Sequence, residues 1–554
     1  MIDRLTKPTR LIHIMLKKQA FATQASKKKL SEVGKYMELP YAEHGKVVVR
    51  FPPEASGYLH VGHAKAALLN QYYQKYYDGK LILRIDDTNP AKENVHFEQV
   101  IKEDLTLLQI EPDKYTHSSD YFDLMLELCE KLLRDGRAFV DDINTDTMSR
   151  ERNDGIDSRN RNNSPTTNLN LWNEMISGTS KGQECCVRIK IDMKHRNSVM
   201  RDPIIYRSKI EEHARTGNKY KVYPTYDFAC PIIDSIEGVT HALRSLEYKD
   251  WRDQYYFICD TLGLRKPHVW EFSRLNMSNT VMSKRKLSLL VEKGFVDGWD
   301  DPRMPTVRGV FRRGMRVEGL RRFIMEQGGS RAIATLQWEK LWRFNKKVID
   351  PLAPRYTALE CSTTNTNDGK LVPVKIRQNF PEETRTIKLN DKNPDPHSRE
   401  LWFGQNLVIE QIDAGQIKEG DTLTLMNWGN LKIVEINKHD NRVLEIIADL
   451  DLENKEFKRT MKVTWLCDSS SASNIPVKTL HYDHIITKEI LTKDDNWLDF
   501  VNRNSVVSKN LIGEVALSKV KKGEIIQLLR KGNFICDQAM SPKSPLILIE
   551  IPSG

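Results

Sequence analysis

A chain of 554 residues with 39% apolar, 29% charged and 8% aromatic side chains is too long for one hydrophobic core and too apolar to be wholly disordered; at about 150 residues per domain it holds three or four domains. Its formal charge of +10 is a modest excess, and nine Lys or Arg against Asp3, Glu32 and Glu38 in residues 1–40 leave only +4 for the rest. No run approaches the roughly 18 apolar residues of a membrane span, and eight cysteines without a C-x-x-C pair argue against a disulfide scaffold or a zinc ribbon and for a reducing compartment.

In chain order, residues 1–40 read as a basic, flexible tail. Val47 to Phe51 is a buried-strand run stopped by Pro52-Pro53. A glycine-containing turn, a helix from Val61 to Tyr77, a break at Asp78-Gly79 and a second apolar strand, Leu81 to Ile85, follow. Strand, helix, strand within 40 residues is a βαβ unit, so the fold class is α/β with a parallel sheet whose ligands bind beyond the carboxyl ends of its strands. Residues 145–170 are polar and read as a loop or loose helical segment within an insertion. Strand and helix signals resume at Val187 and again over Tyr223 to Trp270. Residues 285–350 look helical, with Arg308, Arg312, Arg313, Arg316, Arg321 and Arg322 gathered in fifteen positions. Beyond Pro354 the texture becomes short alternating strands: Leu371 to Ile376, Asp421 to Trp428 and Leu431 to Asn437, the last two separated by Gly429-Asn430 as a hairpin turn.

Two stretches carry chemistry. The first, Arg50-Phe-Pro-Pro-Glu-Ala-Ser-Gly-Tyr-Leu-His-Val-Gly-His63, lies between the first strand and the first helix. Gly57 and Gly62 let a ligand approach backbone, His60 and His63 stand one helical turn apart, and the helix N-terminal amides suit a nucleotide phosphate. Two histidines at this spacing are also half of a metal site, but no Cys or His ligand lies nearby to complete it. The second stretch, Val281-Met282-Ser283-Lys284-Arg285-Lys286, reads either as a solvated basic loop or as a loop that neutralises pyrophosphate, with Lys284 as a mobile point charge and Ser283 as a hydrogen-bond partner.

The two motifs, H-x-G-H and M-S-K, some 220 residues apart, resemble the signatures of class I aminoacyl-tRNA synthetases. Arg84-Ile-Asp-Asp-Thr-Asn-Pro90, Tyr223-Pro-Thr-Tyr-Asp-Phe228, Gly238-Val-Thr-His-Ala-Leu-Arg244, Ser283-Lys-Arg-Lys-Leu287 and Trp299-Asp-Asp-Pro-Arg303 are similar to the glutamyl/glutaminyl branch in its cytosolic eukaryotic and archaeal form, over more than 500 residues from about Val33. Val281 stands where the family consensus opens with lysine; Lys284 is retained.

The resemblance implies a Rossmann-type catalytic domain in two halves, residues 41–121 and 221–284, around an acceptor-end-binding insertion at 122–220, then a helical stem-contact domain at 285–350 and anticodon-binding β-barrels at 351–554. The implied activity is ATP-dependent activation of L-glutamate and its transfer to the 3′ end of tRNA(Glu), with a glutaminyl-tRNA synthetase or a catalytically silent tRNA-binding scaffold as the alternative readings. His60, His63 and Lys284 are the implied catalytic residues. Arg50, Asp86, Tyr226 and Arg244 would hold the amino acid, and Pro53, Glu54, His60, Gly62, His63, Ser245, Arg274, Leu275, Met282, Ser283 and Lys284 would hold ATP. Arg244 stands where glutamine-specific relatives carry a small neutral residue, which favours glutamate, because a buried unpaired Arg opposes a neutral amide. Arg50 and Arg244 also read as structural partners of nearby acids such as Glu54 and Glu247, Asp86 as a helix cap and Tyr226 as core. Arg308, Arg312 and Arg313 are the expected tRNA contacts. Mg2+ would arrive with ATP, and no protein-bound zinc is expected. The expected partners are tRNA(Glu), L-glutamate, ATP and an assembly with other synthetases, without a membrane. The expected location is the cytoplasm, or the mitochondrion if the tail is a transit peptide rather than a solvated charge run or an arm assisting tRNA binding.

Overall fold

The computed structural model of the chain describes residues 38–91, 95–327, 334–361, 370–393, 397–440 and 442–554. The expected flexible tail lies outside these residues except at positions 38–40. The chain divides into two compact units, Met1–Asn276 with Ile324–Thr335, and Met277–Phe323 with Leu336–Gly554. The second unit therefore takes in the Val281–Lys286 loop, which the sequence groups with the first.

The first unit opens with β1 (Val48–Phe51), α1 (Val61–Tyr76), β2 (Lys80–Ile85), α2 (Val95–Leu107) and β3 (Lys114–His117). β1 and β2 pair in parallel, as do β2 and β3. From Leu81, β2 reads as an apolar run broken only by Arg84 because both its faces are covered: every residue from Leu81 to Ile85 is buried. α1 lays Val61, Ala64, Ala67 and Leu68 on the sheet.

An insertion follows, with α3 (Phe122–Arg134), β4 (Ala138–Asp141), α4 (Thr145–Asp154), α5 (Pro165–Ser177), β5 (Cys186–Ile189), β6 (Ile204–Ser208) and β7 (Val222–Pro224). The strands form an antiparallel sheet in the order β4-β5-β6-β7. Trp172 and Met175 of α5, Met125 and Cys129 of α3, and Val187 and Tyr206 of the sheet share one core. Of the two readings of 145–170, a loop or a loose helical segment, the structure gives helix over most of it, and α4 and α5 are capped. Asn144 and Ser164 accept the N–H of Thr147 and Thr167, Pro165 occupies the first turn, and Gly155 and Gly178 end the helices in left-handed conformation at φ 70°.

The parallel sheet resumes with α6 (Tyr226–Ile236), β8 (His241–Ser245), α7 (Trp251–Leu262) and β9 (His268–Phe272), β8 pairing in parallel with β9. Thr240, just before β8, donates its N–H to Val48 O at 2.9 Å and accepts the Val48 N–H on its hydroxyl at 2.9 Å. β8 therefore runs beside β1, and the strand order is 3-2-1-8-9. The chain leaves β1 toward β2 on one side and returns on the other, so β1 and β8 flank the switch point at which such sheets bind ligands.

The second unit carries helices Lys284–Glu292, Val307–Arg312 and Trp338–Ile349 and two barrel-like seven-stranded sheets, each with its own apolar core. The expected hairpin turn at Gly429-Asn430 moves. Strand Thr422–Leu425 pairs with strand Gly429–His439 starting at Leu425 opposite Gly429. The loop is Met426 to Trp428, with Asn427 at φ 67°. Asn430 is fully buried, accepting from the Thr424 hydroxyl and donating to Asn454 O at 3.0 Å, which fixes it within the strand.

Candidate active site

β1 ends at Arg50-Phe51, β2 leads into Asp86, and β8 ends at Arg244-Ser245. The topology thus gathers residues from three separate sequence motifs at the carboxyl edge of one sheet. Asp86 donates its backbone N–H to Pro53 O at 2.9 Å, and Glu54 bridges to Asp86, so the loop after β1 is tied to the loop after β2.

His60 is the N-cap of α1, in extended backbone at φ −111° and ψ 172°. Its Nδ1 accepts the N–H of Gly62 at 3.1 Å and of His63 at 3.4 Å, and His63 Nδ1 accepts the His60 N–H at 3.2 Å. The rings stack with centroids 3.8 Å apart. A neutral imidazole that accepts on Nδ1 carries its proton on Nε2, so each ring is a donor at Nε2. The expectation of backbone amides open to a phosphate is corrected at Gly62 and His63: the His60 ring satisfies them.

Asp86 is 9% exposed and accepts from the hydroxyls of Thr88 at 2.9 Å and Ser118 at 3.4 Å. Burial pushes its carboxyl up to about 6, the Thr88 hydrogen bond working against this and the neighbouring charges of Asp87 and Glu54 adding to it.

Two arginines rise from buried strands. Arg50 is 1% exposed and gives Nε to both carboxylate oxygens of Asp234, at 3.0 and 3.1 Å, and Nη1 to Leu243 O at 2.9 Å. Arg84 gives Nη1 to Asp234 Oδ1 at 2.7 Å and Nε to Glu237 Oε2 at 2.9 Å. Tyr255 adds a hydroxyl to Asp234 Oδ2 at 3.0 Å. Burial opposes ionisation of Asp234, yet the two guanidiniums outweigh it and hold the carboxyl well below the usual range. The counter-charge of Arg50 is thus Asp234, not Glu54, and most of its hydrogen-bonding capacity is committed within the chain.

Arg244 is the opposite case. It is 5% exposed, yet it makes no ion pair or hydrogen bond among the described residues, and its Nε is buried without a partner. Its guanidinium carbon lies 4.6, 5.8 and 5.6 Å from the ring centres of Tyr248, Tyr226 and Tyr255. Asp227 faces the same recess, along with Trp251 and Gln254. Leaving a buried donor unpaired costs about 1–3 kcal/mol, more for a charged group.

Of the other expected nucleotide contacts, Ser245 closes β8, Arg274 pairs with Glu247, and Leu275 is 2% exposed. In the second unit Ser283 is the N-cap of helix Lys284–Glu292, whose Leu287 packs with Val281 and Trp497. Lys286 lies 5.7 Å from the Trp497 ring centre. Two of the arginines expected to contact tRNA, Arg312 and Arg313, have partners within the chain. Arg312 donates twice to Asp537, both at 2.9 Å, and Arg313 is held by Tyr482 O and lies 5.6 Å from the Trp342 ring centre. Burial, only partly offset by Glu550 and Asp483, lowers the Arg313 guanidinium to about 10.

Sequence reasoning passed over Asp234, Glu237, Tyr248 and Gln254. A signal existed for the first two: an Arg inside each of two apolar strands, Val47–Phe51 and Leu81–Ile85, demands buried carboxylates, and the Tyr226–Ile236 helix offers Asp234 on a face otherwise apolar.

Residues 46–351 match the catalytic domain of the tRNA synthetases class I (E and Q), and residues 353–451 and 462–537 match two anticodon-binding domains of the same family. The chain is 52% identical over 541 residues to the bifunctional glutamate/proline–tRNA ligase of Mus musculus, covering 96% of this chain and 35% of that one. It is 45% identical to the cytoplasmic glutamate–tRNA ligase of Arabidopsis thaliana (94% of this chain, 71% of that one) and 44% identical to that of Saccharomyces cerevisiae (98% and 75%). The chain spans about a third of the length of the bifunctional relatives it matches.

Proposed function

The chain belongs to the class I tRNA synthetases of the E and Q type, and we propose that it is a glutamate–tRNA ligase of the cytoplasm, charging tRNA(Glu) with L-glutamate at the expense of ATP. The observation that carries the choice of amino acid is Arg244, a buried guanidinium that makes no ion pair or hydrogen bond among the described residues and has only the acidic charge of Asp227 near it, beside three tyrosine rings at the end of β8. A γ-carboxylate satisfies it; a γ-amide brings donors toward donors and leaves the charge unpaired. Relatives named as cytoplasmic glutamate–tRNA ligases, whose length the chain largely covers, support the same reading.

Asp86 receives the substrate ammonium, and Tyr226 walls the side-chain pocket. The α-carboxylate of glutamate attacks the α-phosphorus of MgATP, a P–O bond forms, and pyrophosphate leaves with the electrons of the broken bond. Charge grows on the phosphate oxygens in that step, where the Nε2–H groups of His60 and His63 stabilise it more than they stabilise the bound reactants. The M-S-K motif gives Lys284 a further cationic role in activation. The terminal adenosine hydroxyl of tRNA then attacks the glutamyl carbonyl and releases AMP, while the anticodon-binding sequences at 353–451 and 462–537 support recognition of the tRNA at its far end.

Aminoacylation of tRNA(Glu) and tRNA(Gln) with each amino acid tests this. Glutamate on tRNA(Glu) is the expected product, and Arg244→Ser lowers kcat/KM for glutamate about 10²-fold or more, the loss of a desolvated charge pair. Equal charging with glutamine by the natural chain, or an Arg244→Ser variant of unchanged glutamate kinetics, overturns the assignment.

A further inference from the structure

Arg244 does not face its recess alone. Gln254, on α7, lines the same recess, is 1% exposed, and has neither Nε2 nor Oε1 hydrogen-bonded to any of the described residues. Buried side-chain amides are almost always satisfied. Here an entire amide and the adjoining guanidinium Nε are unpartnered in one small space, bordered by Asp227, Trp251 and Tyr255. The orphaned atoms are two donors, Arg244 Nε and Gln254 Nε2, and one acceptor, Gln254 Oε1. A ligand that completes this set is acceptor-rich and planar; a carboxylate offers two oxygens with about four acceptor positions.

We propose that Gln254 is a second substrate-binding residue for the side-chain carboxylate of the amino acid, its Nε2 donating to one carboxylate oxygen while Oε1 accepts from the guanidinium of Arg244 and fixes its orientation. This rests on the reading of Arg244 as the glutamate anchor. The division of labour follows from chemistry. An amide pairs with a carboxylate or a carboxamide alike, so Gln254 strengthens binding, whereas the charge of Arg244 selects between them. A carboxylate at position 254 reverses the logic: it neutralises Arg244, repels a γ-carboxylate and accepts from a γ-amide.

Steady-state aminoacylation by the full chain, with glutamate and glutamine in parallel, tests this on two variants. Gln254→Met keeps the volume and removes the orphaned polar atoms, so the melting temperature holds or rises. The KM for glutamate climbs about tenfold, and the KM values for ATP and tRNA stay within twofold. Gln254→Glu lowers the glutamate-to-glutamine ratio of kcat/KM at least tenfold, an effect a merely structural residue does not produce. A folded Met variant with glutamate KM within twofold of the natural chain overturns the inference, as does a Glu variant of unchanged ratio. If Arg244→Ser abolishes the glutamate preference while both Gln254 variants keep it, the anchor stands and only this inference falls. A natural chain that shows no glutamate preference removes both.

Discussion

Asp86 sets stability against binding. Its carboxyl is raised to about 6 by burial, against an ordinary value near 3.9 in an unfolded chain. For a carboxyl raised on folding, the folded state is favoured at low pH and loses stability as pH climbs through the folded value. At neutral pH the ionised group thus costs the fold up to roughly 3 kcal/mol. On the proposed function, an arriving ammonium relieves that cost and makes the group a strong anchor. Asp86→Asn, still accepting from the Thr88 and Ser118 hydroxyls, should raise the melting temperature at pH 7.5 by about 2 °C or more and raise the KM for glutamate at least tenfold. In the natural chain the KM for glutamate should rise as pH falls below about 6, and in the Asn variant this dependence should flatten; a pH series from 5 to 8 on both proteins decides. The carboxylate was readable in the Arg-Ile-Asp-Asp stretch, but its titration was not, since that depends on Pro53, Glu54 and Ser118 folding round it. Arg50 shows the same boundary from the other side. Its position in a motif was legible, whereas its commitment to Asp234, 184 residues away, arises only when β1 and α6 are brought together.

Secondary-structure elements supply the donors as well as the scaffold. His60 caps α1 through Nδ1, and on the proposed function the same side chain also serves the phosphate. The two roles separate by substitution. His60→Ala removes both, with a loss of stability of about 1 kcal/mol. His60→Asn restores a strong N-cap side chain but lacks the Nε2 donor. The expected result is a melting temperature for the Asn variant close to that of the natural chain, with glutamate activation reduced about 10²-fold in both variants, as for one preorganised donor. Recovery of activity in the Asn variant would mean that capping, and not donation, is what His60 contributes. Apolar patterning made β1 and β2 legible, with α1 read between the glycine-containing turn and the Asp78-Gly79 break. It left 145–170 open between a loop and a loose helical segment, because few of its residues are apolar; the deciding signal lay in the caps, Asn144, Ser164-Pro165, Gly155 and Gly178. The Gly429-Asn430 dipeptide misled for the converse reason: a favoured turn sequence was overruled by burial of the Asn430 amide against Thr424 and Asn454.

At the scale of the molecule the question is which cations remain for a polyanion. The total of +10 is a poor guide, because much of it lies in residues 1–40 and many cations of the second unit are already paired: Arg312 with Asp537, Arg399 with Glu514, Arg530 with Asp413. The salt dependence of tRNA binding counts only phosphates that cations neutralise, about one unit of slope in log K against log salt for each. A guanidinium locked in a bidentate pair contributes to the fold instead. Arg312→Gln leaves the half-buried Asp537 without its two charge-assisted hydrogen bonds, a loss of about 1–3 kcal/mol, which lowers the unfolding midpoint of the second unit by a few degrees. The slope of tRNA affinity between 50 and 200 mM salt should stay within about half a unit of that of the natural chain. A slope reduced by a full unit, with the unfolding midpoint unmoved, would show instead that Arg312 leaves Asp537 for a phosphate when tRNA binds.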